Sequence, residues 1–567
     1  MTWLASNLPP IMFLSLLVFL LSGFPVAFAL AICGIVFGFA AIALDLASAQ
    51  FFNALPLRIY GIMSNDTLLA IPFFTFMGLI LERSRMAEDL LETIGQVFGP
   101  LRGGLAIAVV FVGAMLAATT GVVAASVIAM GLISLPIMLR YGYNRPLACG
   151  VITASGTLAQ IIPPSLVLIV IADQLGKSVG DMYKAAFLPA FMLVGIYVLA
   201  VVVIAFARPS WVPALPPEAR IYKEPSGSAG YRSLGLLTAF CAVIGTMVFT
   251  QYETILRALG SKVEYAPPTD EKIVIMLMAG ISSALIIATI DKVLRLNLLS
   301  KLAQQVTFVL IPPLLLIFLV LGTIFLGVAT PTEGGAMGAA GAMLLAILRK
   351  RLNMKLLNQA LDSSSRLSIF VLFVLVGSTV FSLTFQAING PHWVEGLFAA
   401  LPGGQMGFLI FVNLMIFVLG CFIDFFEIAF IILPLLLPVA DKLGIDLIFF
   451  GVMIALNLQT SFLTPPFGFA LFYLRSVAPK SEYIDKVLNK RIKPIETRDI
   501  YKGSIAFVVL QVVMVVLVIA KPEIILSGLG EKQLLDVDKV NLNITAPESE
   551  EEDALNLNKP LSPAPKK

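Results

Sequence analysis

The chain has 567 residues, 59% of them hydrophobic and 13% charged, against about 25% charge in an ordinary soluble domain. Its mean hydropathy is +0.96. These values exclude a water-soluble enzyme, and the continuity of the apolar runs excludes a membrane β-barrel, whose strands alternate.

In chain order, apolar segments of membrane-spanning length are predicted at 10–23, 26–44 and 67–82. An amphipathic stretch, 83–100, sets Arg83, Arg85, Glu88, Asp89 and Glu92 among Met86, Leu90, Leu91, Ile94, Val97 and Phe98. It suits a helix lying along a membrane face, as an anchor to lipid or as a brace. A longer run, 103–139, is broken at Thr119-Thr120-Gly121. Segments at 147–172 and 184–207 follow, and together 1–207 form the first half. An insert, 208–304, holds two further helices at 233–251 and 272–290. The second half, 305–525, contains 305–328, 332–349, 366–387, an amphipathic stretch at 389–401, a long run at 403–440 broken near Asp424, and segments at 447–473 and 503–525. Residues 526–567, rich in acids and prolines, read as a disordered tail.

Lys and Arg mark cytoplasmic loops. Arg140 with Arg145, Arg208 with Arg220 and Lys223, the run from Arg349 to Lys355, and the eight basic residues of 475–502 are placed inside. Counting crossings from these loops puts both termini outside. Cys33, Cys149, Cys241 and Cys421 all lie in apolar runs and read as buried hydrophobes. The single histidine, His392, lies in an outer loop.

The two halves repeat. Gly103-Gly104 recurs as Gly403-Gly404, and Phe111–Leu116 sits over Phe411–Ile416. After a two-residue insertion, Leu135-Pro136 matches Leu437-Pro438, Gly142 matches Gly444, and Pro163-Pro164 matches Pro465-Pro466. Pro25 and Pro331 hold similar places upstream. The loop charges put the base of 103–139 inside and that of 403–440 outside, so the repeat is inverted. Inverted repeats with broken helices at the midplane characterise secondary transporters. The fold class predicted is all-α: a polytopic membrane protein with an inverted repeat, two hairpins read as re-entrant, and two broken helices.

The predicted site gathers at these breaks. The first broken helix carries Ser155-Gly156-Thr157 before Pro163-Pro164, and the second carries Asn457, Gln459 and Thr460 before Pro465-Pro466. Proline removes a donor and disrupts the turn before it. Freed carbonyls and hydroxyl or amide oxygens suit Na⁺, and half-helix N-termini suit a carboxylate. Four such N-termini, after Gly121, Gly156, Ile423 and Gln459, are expected to converge. Thr119, Thr120, Gly121, Ser155, Gly156, Thr157, Asp424, Glu427, Asn457, Gln459 and Thr460 are the candidate Na⁺ and substrate residues. Asp424 and Glu427 also form a capping box, and Thr119 and Thr120 could bond back to their own helix. A carboxylate at membrane depth is costly and is usually functional. Thr330-Pro331-Thr332-Glu333 reads as a capping box with Pro331 at the first helical position. Nothing resembles an enzyme's intramembrane His cluster or facing Asp pair, and no cofactor is expected beyond Na⁺ as coupling ion.

These residues resemble the large membrane subunit of the tripartite ATP-independent periplasmic (TRAP) transporters. The matching stretches are LLAIPFFTFMG (68–78), SGTLAQIIPPSLVLI (155–169), ATPTEGGA (329–336) and NLQTSFLTPPFGFALF (457–472). The resemblance covers about 1–207 and 305–525, and is nearest to longer members labelled for mannitol or chloroaromatic compounds. It implies a bacterial inner-membrane importer of elevator type, driven by Na⁺. It also implies a separate small transmembrane subunit and a periplasmic solute-binding protein that delivers an organic acid. Its hairpin tips map to Thr119–Gly121 and Ile423–Phe425, and its unwound segments to Ser155–Thr157 and Asn457–Thr460. A stand-alone ion-coupled carboxylate carrier of the same architecture is the alternative.

Overall fold

A computed structural model describes residues 2–219, 221–222, 230–258, 269–399, 401–485 and 487–529. Arg220, Lys223 and everything from residue 530 on lie outside the described residues. Each predicted apolar run is helical, as the lack of water partners for backbone groups in lipid requires. Among the described residues, eight helices are long and apolar enough to cross a membrane, or nine counting the bent pair Ala49–Met63 and Asp66–Arg83. The chain between 44 and 66, unassigned from sequence, forms a 3₁₀ turn (Ala49–Ala54) and a short helix (Leu55–Met63). Within the basic 475–502 loop, Tyr483–Ile484 pairs antiparallel with Arg491–Ile492. The described helical turns also run four residues, 526–529, into the stretch expected as tail. Glu523–Leu526 and Ser527–Leu529 pack on the helix Val179–Ala207, because Ile525 is an apolar anchor with no exposure.

The repeat shows in matched local geometry. Gly142 and Gly444 both have positive φ, and the next helices are capped by Asn144 and Asp446, whose side chains accept from the amides of Leu147 and of Ile448 and Phe449. Pro163-Pro164 and Pro465-Pro466 are both cis. Hairpin 1 comprises Gly104–Thr120 and Val123–Arg140, and hairpin 2 Gly404–Leu419 with an arm from Phe425 to Lys442. The first arms have 17 and 16 residues. At 1.5 Å per residue each spans about 25 Å, short of the roughly 30 Å hydrocarbon core.

Elements of one half pack on non-equivalent elements of the other, in reciprocal pairs. Val26–Ala43 packs on Met354–Ala387, and Ala70–Arg83 on Pro331–Leu348; these four helices form a scaffold. In the other group, Arg145–Thr157 packs on Thr497–Ala520, and Val179–Ala207 on Leu447–Phe462. The half-helix after each break lies on the other half's hairpin. Leu166–Gln174 meets the second arm of hairpin 2, and Phe469–Val477 meets Val123–Arg140. The insert supplies two helices, Tyr231–Ala258 and Thr269–Leu294, that continue to the scaffold helix Lys301–Phe325.

The two amphipathic stretches pack against the bundle. Met86–Phe98 packs on hairpin 1, and its Asp89 holds Arg349 and Arg351 at 3.0 and 2.8 Å. Gly390–Ala399 presents Glu395 to Lys442 at the foot of hairpin 2. On the basic face, Arg140 meets Asp485 at 2.9 Å, fastening hairpin 1 to the loop after the second broken helix, and Arg145 meets Asp499 at 3.6 Å, joining the first broken helix to Thr497–Ala520.

Candidate functional site

The hairpin tips and helix breaks lie together in the second group. Gly121 closes the tip of hairpin 1 with φ +60°, a conformation that only glycine adopts freely. A methyl built on it would sit 3.6 Å from the Pro164 carbonyl oxygen, so this tip rests on the break of its own broken helix. Hairpin 2 rests on its own broken helix just before the break: a methyl on Gly420 would meet Ser461 Oγ. The side chain of Asp424 accepts from the Phe425 amide at 2.8 Å and starts the second arm. Glu427 is buried, with Oε2 lacking a hydrogen-bond partner among the described residues. The arm then passes through a π-helical turn, Ile428–Ile432, a distortion often found at functional positions.

The breaks fall later than expected. Ser155, Gly156 and Thr157 are helical, within Arg145–Thr157, and Asn457, Gln459 and Thr460 are helical, within Leu447–Phe462. The chain leaves helical geometry only around Ile161–Ser165 and Leu463–Gly468, and resumes at Leu166 and Phe469. Glycine and hydroxyl residues permit unwinding, but the Pro-Pro pairs enforce it, because each removes donors and clashes with the turn before it. The half-helix N-termini therefore follow Ser165 and Gly468 rather than Gly156 and Gln459. The other two, after Gly121 and Ile423, are as expected.

Most candidate hydroxyls are held by their own helices. Thr119 and Thr120 both donate to the Leu116 carbonyl at 2.9 Å, and Thr120 also shares a 2.8 Å bond with Ser126. Ser155 donates to Ile152, Thr157 to Ala154 and Thr460 to Leu456. The hydroxyls of Thr119, Ser155 and Thr460 accept no further bond among the described residues, so their lone pairs stay available to a ligand. Asn457 donates to the Asn413 carbonyl at 2.6 Å, tying the second broken helix to hairpin 2. Pro331 is remote from this cluster. It starts a scaffold helix under a complete Thr330–Glu333 capping box, as its sequence pattern indicates.

Within the site, side-chain hydrogen bonds join the two broken helices. Gln459 Nε2 donates to Thr157 Oγ1 at 3.4 Å and to the Tyr197 hydroxyl at 3.3 Å, and Gln511 Nε2 donates to the same hydroxyl at 2.5 Å. All four side chains are buried. Tyr197 and Gln511 escaped sequence reading. The available signal was Gln511 itself, a carboxamide in the middle of an apolar run, where an unsatisfied polar group is costly. Gln160 was also missed. It is fully buried at the first break, and neither its Oε1 nor its Nε2 has a partner among the described residues. Gln459 Oε1 and Gln511 Oε1 share that state.

The cluster thus offers hydroxyl, carboxamide and carbonyl oxygens plus two carboxylates. Among the described residues no group of three or more His, Cys, Asp or Glu could hold a metal ion. A hard, weakly bound monovalent cation matches this oxygen set better than a transition metal.

A family model described as "Tripartite ATP-independent periplasmic transporter, DctM component" matches residues 13–524. The C4-dicarboxylate TRAP transporter large permease protein DctM of Pseudomonas aeruginosa is 27% identical over 439 residues, covering 77% of this chain and 83% of its own. The protein of the same name from Rhodobacter capsulatus is 25% identical over 477 residues, 82% of this chain and 88% of its own. The sialic acid TRAP transporter permease protein SiaT of Haemophilus influenzae is 23% identical and covers 83% of this chain and 61% of its own.

Proposed function

The chain belongs to the tripartite ATP-independent periplasmic transporters, as a DctM component, and on that footing we propose that it imports an organic acid across the bacterial inner membrane, coupled to Na⁺. Its partners are a separate small transmembrane subunit and a periplasmic binding protein that delivers the carboxylate. Both termini face the periplasm. C4-dicarboxylates and sialic acid, named for its relatives, support an organic acid as the substrate.

The observation that supports this reading is that each hairpin tip packs on its own broken helix, with buried carboxamide oxygens of Gln160, Gln459 and Gln511 left unpartnered among the described residues. Unwound or unsatisfied backbone and amides persist at membrane depth where they meet a ligand or a watery cavity. Na⁺ bound by Thr119–Gly121, Asp424, Glu427 and the oxygens of Thr157, Asn457, Gln459 and Thr460 offsets the substrate's charge. The N-termini after Ser165 and Gly468 favour a carboxylate. The hairpin group then moves against the scaffold of Val26–Ala43, Ala70–Arg83, Pro331–Leu348 and Met354–Ala387, in elevator fashion. Each net positive charge carried inward gains about 2.3 kcal/mol per 100 mV.

Cation linkage tests the site without knowledge of the substrate. A ligand that binds only the folded protein raises its melting temperature. Na⁺ is expected to raise that of the purified chain in a saturable way at constant ionic strength, where K⁺ and choline do not. Equal effects of the three cations would overturn the Na⁺ assignment.

A further inference from the structure

A second polar cavity, of about 390 Å³, opens between the scaffold and the hairpin group on the face opposite the basic loops. Arg58 and Asn65 line it from the start of the bent helix pair, Asp173 and Gln174 from the end of the first broken helix, and Thr379 and Ser382 from the scaffold helix Met354–Ala387. Phe430 of hairpin 2 closes its inner wall, where its carbonyl accepts from Ser378 Oγ.

The cavity carries one charge of each sign, Arg58 and Asp173, but they are not paired with each other. Asp173 is already engaged, with Oδ1 accepting from Asn65 at 2.7 Å and Oδ2 from Gln174 at 3.0 Å. Arg58 donates to a neutral group, Gln386 Oε1, at 3.0 Å, and it belongs to no ion pair among the described residues. A guanidinium presents a fork of donors matched to a carboxylate, and Arg58 keeps most of that fork unused while the oxygens of Asp173 are already bonded. We propose that this cavity is a periplasmic receiving site for the substrate's carboxylate, with Arg58 as its anchor, ahead of the hairpin-tip site. The ligand's identity rests on the import reading above; the position of Arg58 and its unpaired donors do not.

The test needs no substrate. Ser382→Cys places a thiol beside Gln386 and Arg58 (Gln386 Nε2 lies 3.5 Å from Ser382 Oγ). Spheroplasts expressing the full chain are treated with membrane-impermeant methanethiosulfonates, one sulfonate-bearing and one trimethylammonium-bearing, with the unsubstituted chain as blank. The thiol is expected to react from outside, and faster with the anion. Adding Arg58→Gln is expected to lower the anion-to-cation rate ratio by about tenfold or more, given charge separations of a few ångströms at low ionic strength. Thr379→Cys serves as a second reporter. If neither thiol reacts from outside, or if Arg58→Gln leaves the ratio unchanged, the proposal is overturned. A failure of Na⁺-driven uptake with the rate ratio intact would overturn the import reading alone.

Discussion

Thr157 and Gln459 hold matching places in the two repeats, 302 residues apart, and they touch: Gln459 Nε2 donates to Thr157 Oγ1 at 3.4 Å. The bond lies where the two broken helices meet, beneath Tyr197 and Gln511 from the helices that follow them. A contact between repeat-equivalent residues is what a pseudo-two-fold axis through the site produces.

Removing the carboxamide tests that junction. Gln459→Leu keeps the volume roughly constant but deletes the bonds to Thr157 and Tyr197. It is expected to destabilise the protein by about 1–2 kcal/mol and to depress uptake strongly. Thr157→Val, which leaves the Gln459–Tyr197 bond, should cost less. Thermal unfolding in detergent and initial uptake rates check both.

Asp424 combines a cap with a charge, and the two can be separated. Asn caps helices about as well as Asp, so Asp424→Asn should keep the bond to the Phe425 amide and melt near the parent temperature. If the carboxylate helps hold Na⁺, the Na⁺ concentration for half-maximal uptake should rise about tenfold, equivalent to 1.4 kcal/mol. An unchanged Na⁺ dependence would remove Asp424 from the site.

Gly78 of the scaffold lies against the tip of hairpin 1. A methyl there would come within 2.5 Å of Thr120 Cα and 2.6 Å of the Thr119 carbonyl oxygen. Gly78→Ala is expected to lower the maximal uptake rate several-fold by displacing the tip. Gly95→Ala, whose nearest obstacle is Leu105 Cδ1 at 3.4 Å, is expected to leave the rate within about twofold. Parallel initial-rate measurements decide it.

Asp485 fastens hairpin 1 through Arg140, outside the membrane-spanning helices. Burial opposes its ionisation, but the amides of Leu488 and Val487 and the Arg140 guanidinium outweigh that and hold the carboxyl below the ordinary range. A depressed folded-state pKa contributes stability above the unfolded value of about 3.9, lost as pH falls through the folded value. Asp485→Asn should therefore lower stability by about 1–3 kcal/mol, by the same amount from pH 8 to pH 5. The gap should close only below pH 4. Unfolding midpoints across that range check the sign.

Much of this architecture is legible in the chain. The glycine and proline landmarks recur at fixed spacing because tight turns and breaks admit few other residues, so the repeat survives where side chains diverge. The Thr330–Glu333 box and the amphipathic stretch at 83–100 are local patterns and are found where local rules put them. The break positions were misread because Ser155–Thr157 and Asn457–Thr460 tolerate helix, and only the downstream proline pairs forbid it. Tyr197 could not be identified from sequence at all. One tyrosine in an apolar helix reads as core until folding brings Gln459 and Gln511 to its hydroxyl.

The most direct test of Na⁺-coupled import is uptake into proteoliposomes holding this chain and its small subunit, with the binding protein outside. Inward Na⁺, inward H⁺ and null gradients are compared, using ligands found by thermal-shift screening of the binding protein. The account predicts accumulation only when the Na⁺ gradient and the loaded binding protein are both present. Accumulation that persists with the Na⁺ gradient collapsed would contradict it.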